Sequence, residues 1–416
     1  MVRDPVTWLI YVQLGLYAYF LYGFGPVVGF LKDEQGTSNA LASLHTSALA
    51  VGAMAGGALF PWFARRFGRG NVMWGSLAGI ALTVALFVTL PALYPVTLLL
   101  TTAIGFEGIC VVSCVVVTLS QMHGAAGSSA ISEANAFAVG AGLAAPLVIG
   151  LSVKAGFGWR TGVAVVIGLV LLTAAAARLL RVSYSSEAAQ TVGPSVKQPL
   201  PRAYWLAWTM MVMTGAVEIV LSLWTALVLR ERASFSPAAA SAAVSAILLG
   251  MLVGRTLGAR LALRYRPILL YFVALAISLI GFGVFWAVVA PVPVVAGLFI
   301  VGLGNAMHYP LAIAMALAIA PGSADRAAGV ASYGMGLSFG AGPLILGLLA
   351  DRVGAHTALL LVPVFIGVAA VLAWRLRSAV AQPVDSERPA VSEAVVSAAA
   401  AEVAGIEAAA PGLASP

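Results

Sequence analysis

The chain has 416 residues, of which 61% are hydrophobic and only 9% charged, with a formal net charge of +7. Its mean hydropathy is +1.01. A soluble domain carries roughly 25% charged residues, so this composition excludes a soluble globular protein and points to one embedded in a lipid bilayer.

Twelve apolar runs follow one another, at about 6–31, 38–63, 71–92, 95–119, 129–153, 159–181, 203–229, 237–262, 267–290, 293–319, 326–350 and 355–377. Each is long enough for a membrane helix, and none shows the short alternation of a membrane barrel. Span 1 carries Tyr11, Gln13, Tyr17, Tyr19 and Tyr22. Span 4 carries Glu107 near its middle, followed by Cys110 and Cys114. The segment Val182–Arg202 is the one long polar interruption, with Glu187, Pro194 and Lys197. Span 7 then carries Glu218, span 8 Arg255, and span 10 Asn305 and His308. Beyond about residue 379 the chain is Ala-rich with scattered Pro and Glu, a composition expected to be disordered. The expected division is a six-helix bundle over 1–181, a linker over 182–202, a second six-helix bundle over 203–378 and a tail over 379–416.

Basic residues are sorted between alternate loops. One side holds Arg3, Arg65, Arg66, Arg69, Arg178, Arg181, Lys197, Arg202, Arg260, Arg264, Arg266, Arg326, Arg375, Arg377 and Arg388; the other holds only Lys32, Lys154, Arg160, Arg230, Arg232 and Arg352. This bias places both termini in the cytoplasm and predicts an even helix count. It also accounts for the positive charge without a nucleic-acid partner. The first span is too long for the apolar core of a cleavable signal peptide, so none is expected. The Arg-over-Lys bias and abundant Ala suggest a bacterial cytoplasmic membrane. Cys110 and Cys114 imply neither a disulfide framework nor a metal site, because no His or Asp accompanies them.

The two halves repeat. A shift of 198 residues places Ser38 on Ser236, Gly56 on Gly254 and Arg66 on Arg264; a shift of 197 places Gly105 on Gly302, Pro146 on Pro343 and Gly150 on Gly347. Parallel repeats of six spans are a transporter architecture. The spacings Gly52/Gly56, Gly250/Gly254/Gly258 and Gly336/Gly340 suit close helix packing, and Pro146 and Pro343 are expected to bend spans 5 and 11.

With twelve spans, the repeat and the charge bias, the membrane region resembles the major facilitator superfamily. The loop PWFARRFGRG, from Pro61 to Gly70, looks like that superfamily's Gly-x-x-x-Asp-Arg-x-Gly-Arg-Arg loop, with Pro61 at the Gly position and Arg65 at the Asp position. Its second copy runs from Gly254 to Pro267, with Leu263 where Asp is expected. Within the superfamily, GAVEIVLSLW (Gly215–Trp224) and GMLVGR (Gly250–Arg255) look like the fucose-permease-like branch. The resemblance implies an all-α protein of two pseudo-symmetric six-helix halves. It also implies a central cavity lined by spans 1, 4, 7 and 10. A single chain with two halves is mechanically complete, so a monomer without cofactors is expected.

A charge at the membrane centre costs at least ~2.5–3.5 kcal/mol, and such residues usually mark a polar pathway. At ~1.5 Å per residue, Glu107, Glu218 and His308 lie ~16–22 Å from the cytoplasmic helix ends. Helical spacing extends them into stripes: Glu107, Cys110, Cys114 and Thr118; Thr214, Glu218, Ser222 and Thr225; Asn305, His308 and Ala312. A carboxylate in a low-dielectric cavity can load and release a proton, which lowers the cost of sealing that cavity. Glu218, with Glu107 second, is therefore the expected proton-coupling residue. Tyr19, Tyr22, Glu107, Glu218, Asn305 and His308 are the expected substrate contacts. The bland alternative makes both carboxylates protonated packing residues.

Arg255 admits two readings. It binds an anionic substrate at the base of the cavity, or it pairs with Glu133 or backbone carbonyls in a cytoplasmic gate. The gate is the favoured reading, with Glu133, Arg66 and Arg264 as its other members. The expected function is proton-coupled secondary transport of a small polar solute, sugar-like or another metabolite; the alternative is a drug or metabolite exporter. A membrane-embedded enzyme or sensor is remote. Only His45, His123, His308 and His356 are present, widely separated, and no nucleophile–base or P-loop motif occurs.

Overall fold

The computed structural model describes residues 3–123, 127–182, 199–262, 264–320 and 324–381. All elements among the described residues are helical. The first half comprises α1 (Pro5–Gln35), α2 (Asn39–Phe67), α3 (Arg69–Thr89), α4 (Tyr94–His123), α5 (Gly127–Lys154) and α6 (Gly158–Leu179). The second comprises α7 (Arg202–Arg232), α8 (Pro237–Ala243), α9 (Ser245–Ala262), α10 (Pro267–Ala287), α11 (Pro291–Ile319), α12 (Ala324–Val353), α13 (Ala355–Ala358) and α14 (Leu361–Ala381). These fourteen helices build 12 candidate spans: α8 and α9 share one crossing, and α13 and α14 share another. Most of the expected linker, the tail beyond residue 381, Lys197 and Leu263 lie outside the described residues.

Helices are the natural state here because a lipid environment offers no partner for backbone N–H and C=O groups. Their ends are set by local chemistry. The Asp4 carboxylate accepts from Thr7 N and Pro5 opens α1, while Gly36, at φ 60°, ends it. Ser38 and Ser236, one repeat apart, cap α2 and α8 in the same way, their Oγ atoms accepting from Leu41 N and Ala239 N.

An even number of antiparallel crossings puts both described chain ends on one face, here the termini face; the other is the distal face. Helices α1 and α7 stand at the centre. Within their most apolar windows 78% and 83% of residues are buried, against 28–56% for the other spans. The halves meet along three seams: α1 on α7, α2 on α12, and α5 on α8 and α9. Within each half the glycine spacings draw helices into backbone contact. A Cβ on Gly52 would sit 1.9 Å from the Thr102 carbonyl oxygen of α4, and one on its repeat mate Gly250 would sit 2.1 Å from the Phe299 carbonyl oxygen of α11. Pro146 and Pro343 lie inside uninterrupted helices.

Candidate functional site

Glu218 lies midway along α7, partly buried, and faces across the molecule. It lines a cavity of about 30 Å³ with Tyr22, Phe24 and Gly25 of α1, Thr46 and Leu49 of α2, Ser222 of α7 and Phe339 of α12. The walls therefore come from both halves. Thr46 is 1% exposed and its Oγ1 has no hydrogen-bond partner, so the cavity combines a carboxylate with an unused hydroxyl. Tyr22 is fixed by packing: a Cβ on Gly142 of α5 would lie 2.3 Å from its ring.

Directly beyond this cavity the halves close. A Cβ on Gly25 would stand 2.2 Å from the Ser222 carbonyl oxygen, so only glycine permits this approach of α1 to α7. Farther out, Arg230 pairs with Asp33 at 2.7 Å. On the second seam, Ser47 Oγ donates to the Gly340 carbonyl at 2.6 Å, and Asp351 accepts from the backbone N–H groups of Asn39 and Ala40 at 2.7 and 3.0 Å. On the third, Ser241 and Ser245 donate to the carbonyls of Pro146 and Leu143. These hydrogen bonds and the ion pair joining the halves all fall in the distal half of the molecule. The arrangement is sealed on the distal face.

Arg255, partly buried on α9, is within electrostatic reach of both Glu218 and Tyr22. It makes no ion pair with Glu218 among the described residues, and its Nε is buried without a hydrogen-bond partner. The expected Arg255–Glu133 pair does not form. Glu133 instead accepts a two-pronged bond from Arg3, at 2.8 and 2.9 Å, and a third from Tyr11 at 3.0 Å. Arg3 reaches Glu133 because α1 packs along α5, a neighbour relation that span order does not reveal. Arg66 and Arg264 are exposed at the termini face, and among the described residues neither bonds to the opposite half.

Other expected site residues turn away from the cavity. Glu107 faces α3: a Cβ on Gly79 would meet its Oε1 at 2.5 Å, and Thr83 Oγ1 donates to it at 3.2 Å. Cys114 follows on the same seam, with its Sγ 3.6 Å from the Arg69 carbonyl. Glu107 Oε2 is buried without a partner. The Tyr19 hydroxyl donates to the Gly162 carbonyl of α6 at 2.8 Å, inside the first half. Asn305 and His308, each 2% exposed, point into the second half. Asn305 Oδ1 accepts from Ser278 of α10 at 3.2 Å, and His308 Nε2 lies 3.4 Å from the same Oγ. The sequence stripes correctly group residues along a helix, but the neighbour each stripe meets is set by packing.

Of the expected substrate contacts, Tyr22 and Glu218 share the cavity. Thr46, Gly25 and Phe339 join them without having been singled out in the sequence. A small residue at Gly25 and a hydroxyl at Thr46 carry no distinctive sequence signal. Asp351 and Asp33, at span ends, read as ordinary loop carboxylates. Among the described residues no group of three or more His, Cys, Asp or Glu could hold a metal ion.

Solved structures share this architecture. A mutant of the nucleoside transporter NupG superposes with a TM-score of 0.68 at 13% identity, covering 91% of this chain and 99% of that one. A bacterial homolog of the human lysosomal transporter Spinster, in an inward-facing and occupied conformation, superposes with a TM-score of 0.69 at 16% identity, covering 97% of each chain. At such identities the likeness concerns the fold alone. No curated protein matches the chain. The family model of the Major Facilitator Superfamily matches residues 10–290 and 206–408. Two halves of six spans closing over a shared central cavity are thus its family's arrangement: the chain is a transporter of the Major Facilitator Superfamily, not an enzyme.

Proposed function

We propose that the protein moves a small polar solute by alternating access and couples that movement to protons through Glu218. One observation carries the reading: a carboxylate midway through the membrane lines a cavity whose walls come from both halves. A charge there is costly, and protonation removes it before the cavity is sealed. Rocking the halves about the α1–α7 contact would expose the same carboxylate to either face in turn. Tyr22 and Arg255 complete the substrate surface in this reading. Glu107 is a secondary proton site, confined to the α3–α4 seam.

The distribution of arginines supports a cytoplasmic-membrane protein with both termini inside, so that the sealed distal face is the outer one. The GAVEIVLSLW stretch around Glu218 supports placement near the fucose-permease-like branch. A monomer suffices, because the two halves of one chain supply every wall of the cavity.

The test uses purified protein in liposomes containing a pH-sensitive dye, with sugars, organic acids and lipophilic cations added in turn. One class should drive proton movement with its own flux, and the direction of the imposed gradient that supports accumulation separates symport from the exporter alternative. Glu218→Gln should abolish proton movement while leaving downhill exchange. Intact pH-driven accumulation in Glu218→Gln would overturn the assignment.

A further inference from the structure

Arg255 is a cation in the membrane interior that no carboxylate among the described residues pairs. It forms no ion pair among the described residues, and its Nε is sealed from solvent with no acceptor. Leaving a cation so placed is expensive, and proteins retain one where a partner arrives. Counted inward from the distal loop that joins their helices, Glu218 lies ~21 Å and Arg255 ~27 Å along the axis. The α9 backbone at Arg255 thus lies just on the termini side of the α7 backbone at Glu218, and the two side chains are within each other's field with no ion pair between them among the described residues.

We infer that this gap is the seat of a substrate carboxylate, and that the transported solute is a small organic monoanion. The inference rests on the transporter reading and specifies the substrate of the same site. A planar guanidinium matches a carboxylate through two parallel N–H···O bonds, which a sugar hydroxyl cannot reproduce. The rest of the solute then points toward Tyr22 and the apolar walls at Leu21, Phe24, Leu49, Ile219 and Phe339. A single arginine balances one negative charge, so a phosphate dianion would leave an excess in the membrane interior.

The same geometry accounts for the proton. With the solute on Arg255, two carboxylates share one low-dielectric site and cannot both remain ionised. Glu218 takes one proton from the water of whichever face is open and returns it on the other side. The groups facing Glu218 are Tyr22 from α1 and Arg255 from α9, whereas α2 and α12 present Thr46, Leu49 and Phe339, none of them charged. One anion and one proton cross together, and the cycle moves no net charge.

The experiment measures thermal stabilisation of the detergent-purified full chain, and uptake into liposomes, with lactate, pyruvate and mandelate against lactamide, mandelamide, ribose and uridine. Carboxylates should stabilise and enter, at a rate set by the pH gradient and indifferent to membrane potential; amides, ribose and uridine should do neither. Arg255→Gln should weaken carboxylate binding about a hundred-fold or more. Arg255→Lys, which keeps the charge but loses the fork, should weaken it about ten-fold and guards against misfolding of the first variant. Glu218→Gln should still bind carboxylates while losing proton movement. Equal binding of amides and acids, silence of all three carboxylates, or unchanged binding in Arg255→Gln overturns the inference. Ribose or uridine entering with protons in Arg255→Gln would do so while leaving the transporter reading intact. Arg255-dependent carboxylate binding with no flux in any arm would instead overturn transport and keep the anion site.

Discussion

Ser47 and Ser245 make the same bond twice, on opposite sides of the molecule. Ser47 Oγ of α2 donates to the Gly340 carbonyl of α12, and Ser245 Oγ of α9 donates to the Leu143 carbonyl of α5. The two serines are 198 residues apart and the two acceptors 197 apart, the repeat shifts already visible in the sequence. Each acceptor lies three residues before the in-helix proline of its half, Pro343 or Pro146. The distal seal is therefore pseudo-symmetric, and its two flanks open or close against equivalent bonds.

Removing either bond should tilt the balance between the two access states. Each neutral hydrogen bond contributes about 1 kcal/mol, so Ser47→Ala and Ser245→Ala should each favour the distal-open state by about five-fold. The sites are on separate seams, so the double variant should show close to the product. Distances between spin labels at the distal ends of α1 and α7 would read the populations. A shift from one serine and none from the other would contradict the symmetry.

Asp351 breaks that symmetry. It caps two backbone N–H groups at the start of α2, whereas its repeat position in the first half is Lys154, and α8 begins with Pro237, which has no N–H to offer. Asp351→Ala should therefore open the α2–α12 flank more than any change at Lys154 opens the other. Loss of an N-terminal cap costs about 0.5–2 kcal/mol, and labels across each flank would resolve the difference.

Gly25 is the point where a single methyl group has nowhere to go. The Ser222 carbonyl oxygen would lie 2.2 Å from it, and backbone cannot swing aside as a long side chain can. Gly25→Ala should hold the halves apart distally and lower turnover while leaving the fold intact. The check is increased labelling of a cysteine placed at Ser222, with the far-ultraviolet spectrum unchanged.

Glu133 holds the termini end of α1 to α5. It is 7% exposed, with Arg3 and Tyr11 as its donors. Glu133→Ala leaves the Tyr11 hydroxyl without its acceptor, at a cost of about 1–3 kcal/mol. The thermal midpoint in detergent should fall, and Arg3→Ala should lower it less, because Arg3 is the more exposed partner.

Asp4 gives a pH dependence whose sign is fixed by its surroundings. Partial burial works against its charge, but bonds from Thr7 Oγ1 and Thr7 N, at 2.6 and 2.8 Å, outweigh it and hold the carboxyl below its usual range. A folded-state value below the unfolded one stabilises the protein above the unfolded value, and that stability is lost as pH falls through the folded value. Wild type should exceed Asp4→Ala in thermal midpoint at neutral pH, with the gap narrowing in acid below about pH 4.

Much of the architecture was legible before any coordinates. Hydropathy alone located twelve spans, because a bilayer demands length and apolarity of each helix and little else. The repeat linked Ser38 to Ser236 and Gly56 to Gly254, and it reappears as matched caps and matched helix contacts. The depth of Glu218 also followed directly, since depth along a helix is a count of residues.

Tertiary structure decided the direction each side chain faces. A membrane helix apolar on every side carries no strong stripe to orient it, so Glu107 and His308, at depths like that of Glu218, turn toward α3 and α10 instead of the shared cavity. Partnership was equally beyond the sequence. Arg255 was the candidate partner for Glu133, and only the packing of α1 along α5 gave Glu133 to Arg3 instead and left Arg255 within the field of Glu218. Composition and periodicity fix how deep a group lies; which neighbour it meets depends on contacts between helices far apart in the chain.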